Sequence, residues 1–284
     1  LAFYGFILII IMLNLGRSRA KANANIILLS IMVLIFSLGK ERGEISYQMI
    51  DIGQGDAFLL NDKGSYYMID VGGPKYKNYD SGEKILIPYL KSLGIREIEG
   101  IFISHEDKDH MGNLDLVWDN FQVKNIYTNK LNEDSLRKYK PHILKKGDRI
   151  KLKSGYITVI DEGYDSNENA NSMGLILDIR GVKIMTLGDL PSEFEKNIKD
   201  TAHILKLSHH GSKTSTGRDF VEQVNPKVVL ISAGRENVYG HPHREVLANV
   251  YDRKIYNSQT DGMVEMRFNK DFEIERFLKG GYFR

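Results

Sequence analysis

The apolar run Ile101-Phe102-Ile103 passes through Ser104 into His105-Glu106-Asp107-Lys108-Asp109-His110. Imidazole and carboxylate are the side chains that bind catalytic divalent cations. Gathered at the carboxyl end of a strand, His105, Asp107, Asp109 and His110 repel one another or stay unpaired unless a cation joins them. The spacing therefore predicts a metal centre. Two later apolar stretches also end in ligand-type residues: His203–Leu207 runs into Ser208-His209-His210-Gly211, and Val228–Ser232 leads to Asn237-Val238-Tyr239-Gly240-His241-Pro242-His243. Around the first, Ser212, Lys213, Thr214 and Ser215 offer hydroxyls, an ammonium and backbone amides suited to phosphate oxygens. Asn237 and His210 are taken with Ser212 and Lys213 as substrate contacts, and His241 as a phosphate or proton donor. His243, two residues on, is expected to face away. His142 follows Pro141 in a loop and His203 opens a strand, so both read as structural. In Asp51-Ile52-Gly53-Gln54-Gly55-Asp56 the glycines predict a tight turn with close backbone approach, and Asp56 reads as structural.

The elements that must position these residues follow from periodicity. Ile45–Ile52, Ala57–Leu60 and Tyr66–Val71 alternate with turns as antiparallel hairpins. Helical spacing over Ile85–Leu93 stops at Gly94, and another helix is expected from Gly112. Leu175–Ile179 and Val182–Leu187 form a hairpin around Arg180-Gly181 and deliver Gly188-Asp189. A helix is expected over Arg218–Val224. Two halves thus carry strands ending in ligand-type residues, and with no close repeat or low-complexity linker, one two-sheet domain is the economical arrangement.

With 284 residues, 42% of them hydrophobic, the chain can bury a sizeable core. A net charge of +2 excludes binding nucleic acid through bulk charge alone, so any such role needs a local site. The lack of cysteine excludes disulfides, thiolate zinc sites and a cysteine nucleophile. Residues 1–40 differ from the rest. Leu1–Leu15 and Ile26–Leu38 are apolar around a basic loop at 16–24, which reads as two short transmembrane helices ending a membrane domain. Arg17, Arg19 and Lys21 outnumber Lys40 and Arg42, which favours a cytoplasmic loop and an extracellular C-terminal domain over 41–284. The start at Leu1 suggests a piece of a longer protein.

The motifs together carry a resemblance. Asp70 in Ile69-Asp70-Val71-Gly72-Gly73, His105-x-Asp107-x-Asp109-His110, Gly188-Asp189 and Ser208-His209-His210-Gly211-Ser212 occur in the order of the metallo-β-lactamase fold superfamily. With Asp51-Ile52-Gly53-Gln54-Gly55-Asp56-Ala57 and Tyr239-Gly240-His241-Pro242, residues 45–262 most resemble the C-terminal domain of ComEC-type DNA-internalisation competence proteins. The resemblance implies an α/β fold, an αββα sandwich with a dinuclear metal site at one edge of the sheets, and a nuclease role in uptake of transforming DNA. Partners would be DNA as a single strand, the membrane and the DNA-uptake machinery. It also implies that Asp189 bridges the ions, that Asp109 and His110 serve one of them, and that His209, directly after its strand, is a further ligand while His210 lines the pocket.

The sequence departs from the superfamily's usual His-x-His-x-Asp-His pattern in having Asp107 where the second histidine stands. The third-ligand histidine is also missing, leaving His105, Asp107, Asp189 and Asn171 for that site. Oxygen donors make the site harder, which favours Mn²⁺ or Mg²⁺ over Zn²⁺. Asp70, at a strand end beside two glycines, would orient ligands or water. The leading reading is a metal-dependent deoxyribonuclease. The alternatives are a small-phosphoester phosphodiesterase of the same fold and a non-catalytic DNA-binding domain. Tyr76, Tyr79 and Tyr239 fall in loops where a tyrosine could stack on bases, although loop tyrosines more often pack.

Overall fold

The computed structural model describes residues 43–73, 75–76, 79–268 and 272–278. The chain divides into two units at Gly43, and apart from that glycine the described residues belong to Glu44–Arg284. The two expected membrane helices of residues 1–40 lie outside the described residues. Among those described, no helix is long and apolar enough to cross a membrane.

Two sheets face each other. The first runs in the order His142–Ile143, Ile126–Thr128, Gly100–Phe102, Ser65–Val71, Ala57–Asp62, Ile45–Met49, Val264–Phe268, Phe272–Arg276. The second runs Arg149–Lys151, Gly155–Asp161, Gly174–Ile179, Val182–Thr186, Ile204–Lys206, Val228–Ile231, Lys254–Asn257. Strand alternation sorts the apolar side chains into layers. Phe58 and Leu60 join Tyr47, Leu177, Ile184 and Leu230 in the core between the sheets. Leu59 and Met68 face the opposite way, against Leu86, Leu90, Leu114 and Val117 of the helices on that side. Leu205 and Val229 face Phe220, Val221 and Val246 on the other outer side. Helices cover both outer faces, and the architecture is the αββα sandwich that the motifs implied.

The helix expected over Ile85–Leu93 begins as a wide turn at Gly82–Leu86 before continuing as Ile87–Ser92. The expected strand through Ile52 ends at Met49, because Ile50–Asp56 leaves the sheet. The first sheet is extended by Val264–Phe268, which pairs antiparallel with Ile45–Met49 from the far end of the sequence.

Connectivity places the chemistry. Ser65–Val71, Gly100–Phe102 and Ile126–Thr128 are mutually parallel, as are Val182–Thr186, Ile204–Lys206 and Val228–Ile231. Their carboxyl ends therefore lie at shared edges, and the residues that follow them converge. Asp70 shows how local structure aims a side chain. Ala57 pairs with Val71 and Phe58 with Ile69, so Asp70 is the extra residue of a bulge, at φ 54°. A bulge interrupts the two-residue alternation and turns one side chain out of its strand's plane.

Gly55 sits at φ 128°, and a Cβ there would collide with the carbonyl oxygen of Asp109, to which the Asp56 amide donates at 3.0 Å. Gly55→Ala should therefore lose about 1–3 kcal/mol of stability and push Asp56 away from Asp109. Urea unfolding measures this; an unchanged midpoint would contradict the close approach.

Candidate metal centre

Asp107 precedes a single helical turn, Lys108–Met111, and its carbonyl accepts from the amides of His110 and Met111, both at 2.9 Å. That turn folds Asp109 and His110 back over the sheet edge. Asp70 fixes the imidazole from behind: its Oδ2 lies 2.7 Å from His110 Nδ1, while its two oxygens accept from the Ser104 amide at 2.8 Å and the Ser104 hydroxyl at 2.7 Å. With Nδ1 so engaged, His110 presents Nε2 to the centre, 3.0 Å from Asp189 Oδ1. His210 is held in the same way. Its Nδ1 is 2.9 Å from the Ser232 carbonyl, and its Nε2 lies 3.1 Å from Asp109 Oδ2 and 3.7 Å from Asp189 Oδ2. Fixing one ring nitrogen so that the other faces inward is how proteins prepare histidines for a metal.

On the other side of Asp189, His105 Nε2 is 3.4 Å from Asp107 Oδ2 and 4.0 Å from Asp189 Oδ2. Asp189 thus stands between a group of Asp109, His110 and His210 and a group of His105 and Asp107. His105 Nε2, His110 Nε2 and Asp189 Oδ1 are buried, and although the last two face each other at 3.0 Å, none of the three has a well-aligned hydrogen bond. Buried polar atoms are normally paired, so three orphans facing one spot fit divalent ions. The centre opens to solvent through the partly exposed side chains of Asp107, Asp109 and His209.

Asp56, His110, Asp189 and His210 each offer a ligand atom, all within 4.8 Å of one another. The surroundings of Asp56 nevertheless give it a supporting role. Its Oδ2 is ion-paired with the fully buried ammonium of Lys206, and its Oδ1 is 3.3 Å from the rear nitrogen of His210. Lys206 faces the interior because it shares the strand parity of Ile204, which belongs to the inter-sheet core.

Protonation reflects this crowding. Burial pushes the His110 and His210 imidazoles toward neutrality, but Asp189 with Asp70 holds His110 well above the usual range, and Asp189 with Asp56 brings His210 up to about 9. Burial alone would raise Asp189; the facing imidazoles hold it well below the carboxylate range instead. Divalent ions would take the place of these protons. His241 goes the other way, down to about 4, through burial and then the charges of His210 and His209. It is neutral at neutral pH, so it suits hydrogen bonding to a phosphate better than delivering a proton from a resting imidazolium.

The segment carrying His209 and His210 is conformationally unusual. Both residues are left-handed, at φ 50° and 55°, and Gly211 follows at φ 84°. Such strain persists only where the surroundings over-determine it. Here the clamp is Glu195, wholly buried at the end of the helix Ser192–Glu195. Its carboxylate accepts from the Ser208 hydroxyl at 2.7 Å and the Thr216 amide at 2.7 Å, which closes the loop at both ends.

The other candidate residues are distributed around this centre. His210, expected to line the pocket, takes the buried place beside Asp109 and Asp189. His209, expected as the ligand, stands at the mouth with Nε2 3.7 Å from Asp189 Oδ2 and Nδ1 3.3 Å from the Thr214 hydroxyl. Asn237 does not face substrate: its amide donates to the carbonyls of Gly234 at 2.8 Å and His241 at 2.7 Å and accepts from the His241 amide at 2.9 Å. Asn171 directs its amide nitrogen at the carbonyls of Asn167 and Tyr164 instead of toward His105. Ser212 is buried with its hydroxyl 3.0 Å from that of Thr214, whereas Lys213 is exposed at the rim. His243, His203 and His142 have structural partners, in turn the amides of Lys213 and Lys183 and the side chain of Asn125. Lys206 and Glu195 were not singled out, and the only local signal for either is a charged residue inside or beside an apolar run.

Residues 50–235 match the family described as the Metallo-beta-lactamase superfamily, and the chain belongs to it. It is 31% identical over 271 residues, 84% of its length, to ComE operon protein 3 of Bacillus subtilis, covering 35% of that protein. It is 23% identical over 231 residues to Competence protein ComA of Neisseria gonorrhoeae, which is 77% of this chain and 31% of ComA. The chain thus spans about a third of the length of these relatives, and the ComEC-type resemblance holds. The metallo-beta-lactamase fold protein YhfI of Bacillus subtilis superposes with a TM-score of 0.57 at 11% identity, over 78% of this chain and 99% of YhfI, and shares the fold.

Burial lifts the Glu195 carboxyl from 4.5 to about 7, against the hydrogen bonds from Ser208 and Thr216. The folded state therefore holds this proton more tightly than the unfolded chain, and this group's contribution to stability falls as pH rises through that window. Glu195→Gln should flatten the decline; melting temperatures of both proteins across that range test it, and parallel curves would contradict it.

Proposed function

We propose that the chain is a metal-dependent phosphodiesterase, a deoxyribonuclease that degrades one DNA strand during uptake of transforming DNA across the membrane. The observation that carries this reading is the convergence of buried, unbonded imidazole nitrogens on Asp189, with Asp107 supplying oxygen where the superfamily pattern has nitrogen. Charge supports two ions: Asp56, Asp70, Asp107, Asp109 and Asp189 crowd one site with a single buried ammonium, Lys206. One ammonium and two divalent cations would balance five carboxylates. The oxygen-rich donor set at His105 and Asp107 favours Mn²⁺ there. His105 and Asp107 on one side, Asp109, His110 and His210 on the other, and Asp189 between them would hold the ions, which would supply Lewis-acid activation of water and charge stabilisation for phosphodiester hydrolysis.

The chain's own residues do the positioning. Asp70 and the Ser232 carbonyl keep His110 and His210 turned inward. Asp109, partly exposed at the solvent boundary, would hold an ion on the side from which a phosphodiester enters. His241, held neutral, donates a hydrogen bond to a phosphate oxygen. Lys213, exposed and next to the His209 segment, suits a polyanion. The competence relatives support DNA as the substrate, and the apolar runs and basic loop of residues 1–40 support a membrane-tethered, extracellular place for the domain.

Labelled single-stranded DNA incubated with the purified chain should be cleaved in Mn²⁺, and Asp109→Ala should abolish cleavage while the protein stays folded. Folded, metal-loaded protein that cleaves no DNA would favour the small-phosphoester or DNA-binding reading.

A further inference from the structure

Beside the metal centre, the loop between Ile231 and the helix Arg244–Asn249 exposes two apolar residues, Val238 at 70% and Tyr239 at 59%. The loop is firmly braced. Besides the three Asn237 hydrogen bonds, Gln259 Nε2 donates to the carbonyls of Gly234 at 2.8 Å and His241 at 2.9 Å, and the Arg235 guanidinium pairs with Asp51 at 3.0 Å. An aromatic ring held out in water on a braced loop gains little from folding. Its orientation is informative. The Tyr239 ring lies nearly parallel to that of His241, at 25° with centroids 5.6 Å apart. His241 is in turn 5.4 Å from the ring of His209, whose Nε2 is 3.7 Å from Asp189. A row of rings therefore leads from the solvent to the metal centre.

We propose that Tyr239 is a base-stacking platform for the nucleotide next to the scissile phosphate. This rests on the phosphodiesterase reading and adds a subsite to it. A strand with its phosphate at Asp109 and Asp189 has its neighbouring base within reach of the outer face of Tyr239, and Val238 extends the apolar surface. Every base has a π-face, so such a platform is tolerant of sequence, as degradation of arbitrary DNA requires. Exposed Lys213, whose amide donates to His243 at 3.2 Å, lies on the same rim and suits the backbone. The occupant is thus a single-stranded nucleic acid, not an apolar protein surface, which would find cations along the rim of the patch.

The test separates base from backbone and does not need turnover. Fluorescence anisotropy in Ca²⁺ would compare an oligothymidylate with a wholly abasic strand of equal length, for the unsubstituted chain, Tyr239→Ala, Tyr239→Phe and Tyr239→Trp. Tyr239→Ala should weaken oligothymidylate binding roughly tenfold and leave the abasic strand unaffected, with Phe and Trp close to the unsubstituted chain. Equal losses on both strands, or no loss on either, would overturn the platform and leave Val238 and Tyr239 to a protein contact. Hydrolysis of bis(p-nitrophenyl) phosphate by the unsubstituted chain reports separately on the phosphodiesterase reading, so either idea can fail without the other.

Discussion

The rest of the structure is arranged around the burial of like charges at one edge of the two sheets. Asp56, Asp70 and Asp189 are almost wholly buried, and Asp107 and Asp109 adjoin them. Removing a carboxylate from water costs several kcal/mol even after the protein relaxes, and neighbouring carboxylates add repulsion. Lys206 and the inward imidazoles offset part of that cost, and the unbonded atoms around Asp189 mark where cations are needed for the remainder. A site of this kind is costly to keep without ligands, so its retention in a packed interior is itself a sign of metal chemistry.

Backbone strain is also present at this place. Asp70, His209 and His210 all take left-handed conformations that cost a non-glycine residue energy. Each is held by contacts from a different part of the chain: the bulge against Ala57 and Phe58 for Asp70, and the Glu195 clamp for the two histidines. The sandwich supplies the necessary stiffness, since its three apolar layers leave the strand ends little freedom.

The two halves of the centre are unlike. Asp109, His110 and His210 bring two imidazoles and one carboxylate to one side of Asp189, whereas His105 and Asp107 bring one of each to the other, and Asp107 and Asp109 are the partly exposed members of the two groups. The loops at the mouth also differ: the segment around His209 is clamped from inside by Glu195, while the loop around Tyr239 is braced by Asn237 and Gln259 and presents Tyr239 outward.

The sequence alone determined the ligand-type clusters and much of the framework. The cluster His105–His110, Asp189 and the His209-His210 pair are each local signals, an apolar strand followed by ligand-type residues, and local periodicity survives folding. The same holds for the hairpin over Gly174–Thr186 and the helix Arg218–Val224. The closing strands Val264–Phe268 and Lys254–Asn257 were not legible, because their place depends on partners elsewhere in the chain. Tertiary structure alone decided which of two adjacent histidines is buried, since consecutive left-handed residues reverse the direction a strand pattern would assign. It also decided that Asp56 meets Lys206, that Glu195 closes the histidine loop, and that Asn237 serves its own loop instead of substrate. These pairings join residues distant in sequence or turn on side-chain orientation, and a one-dimensional pattern records neither.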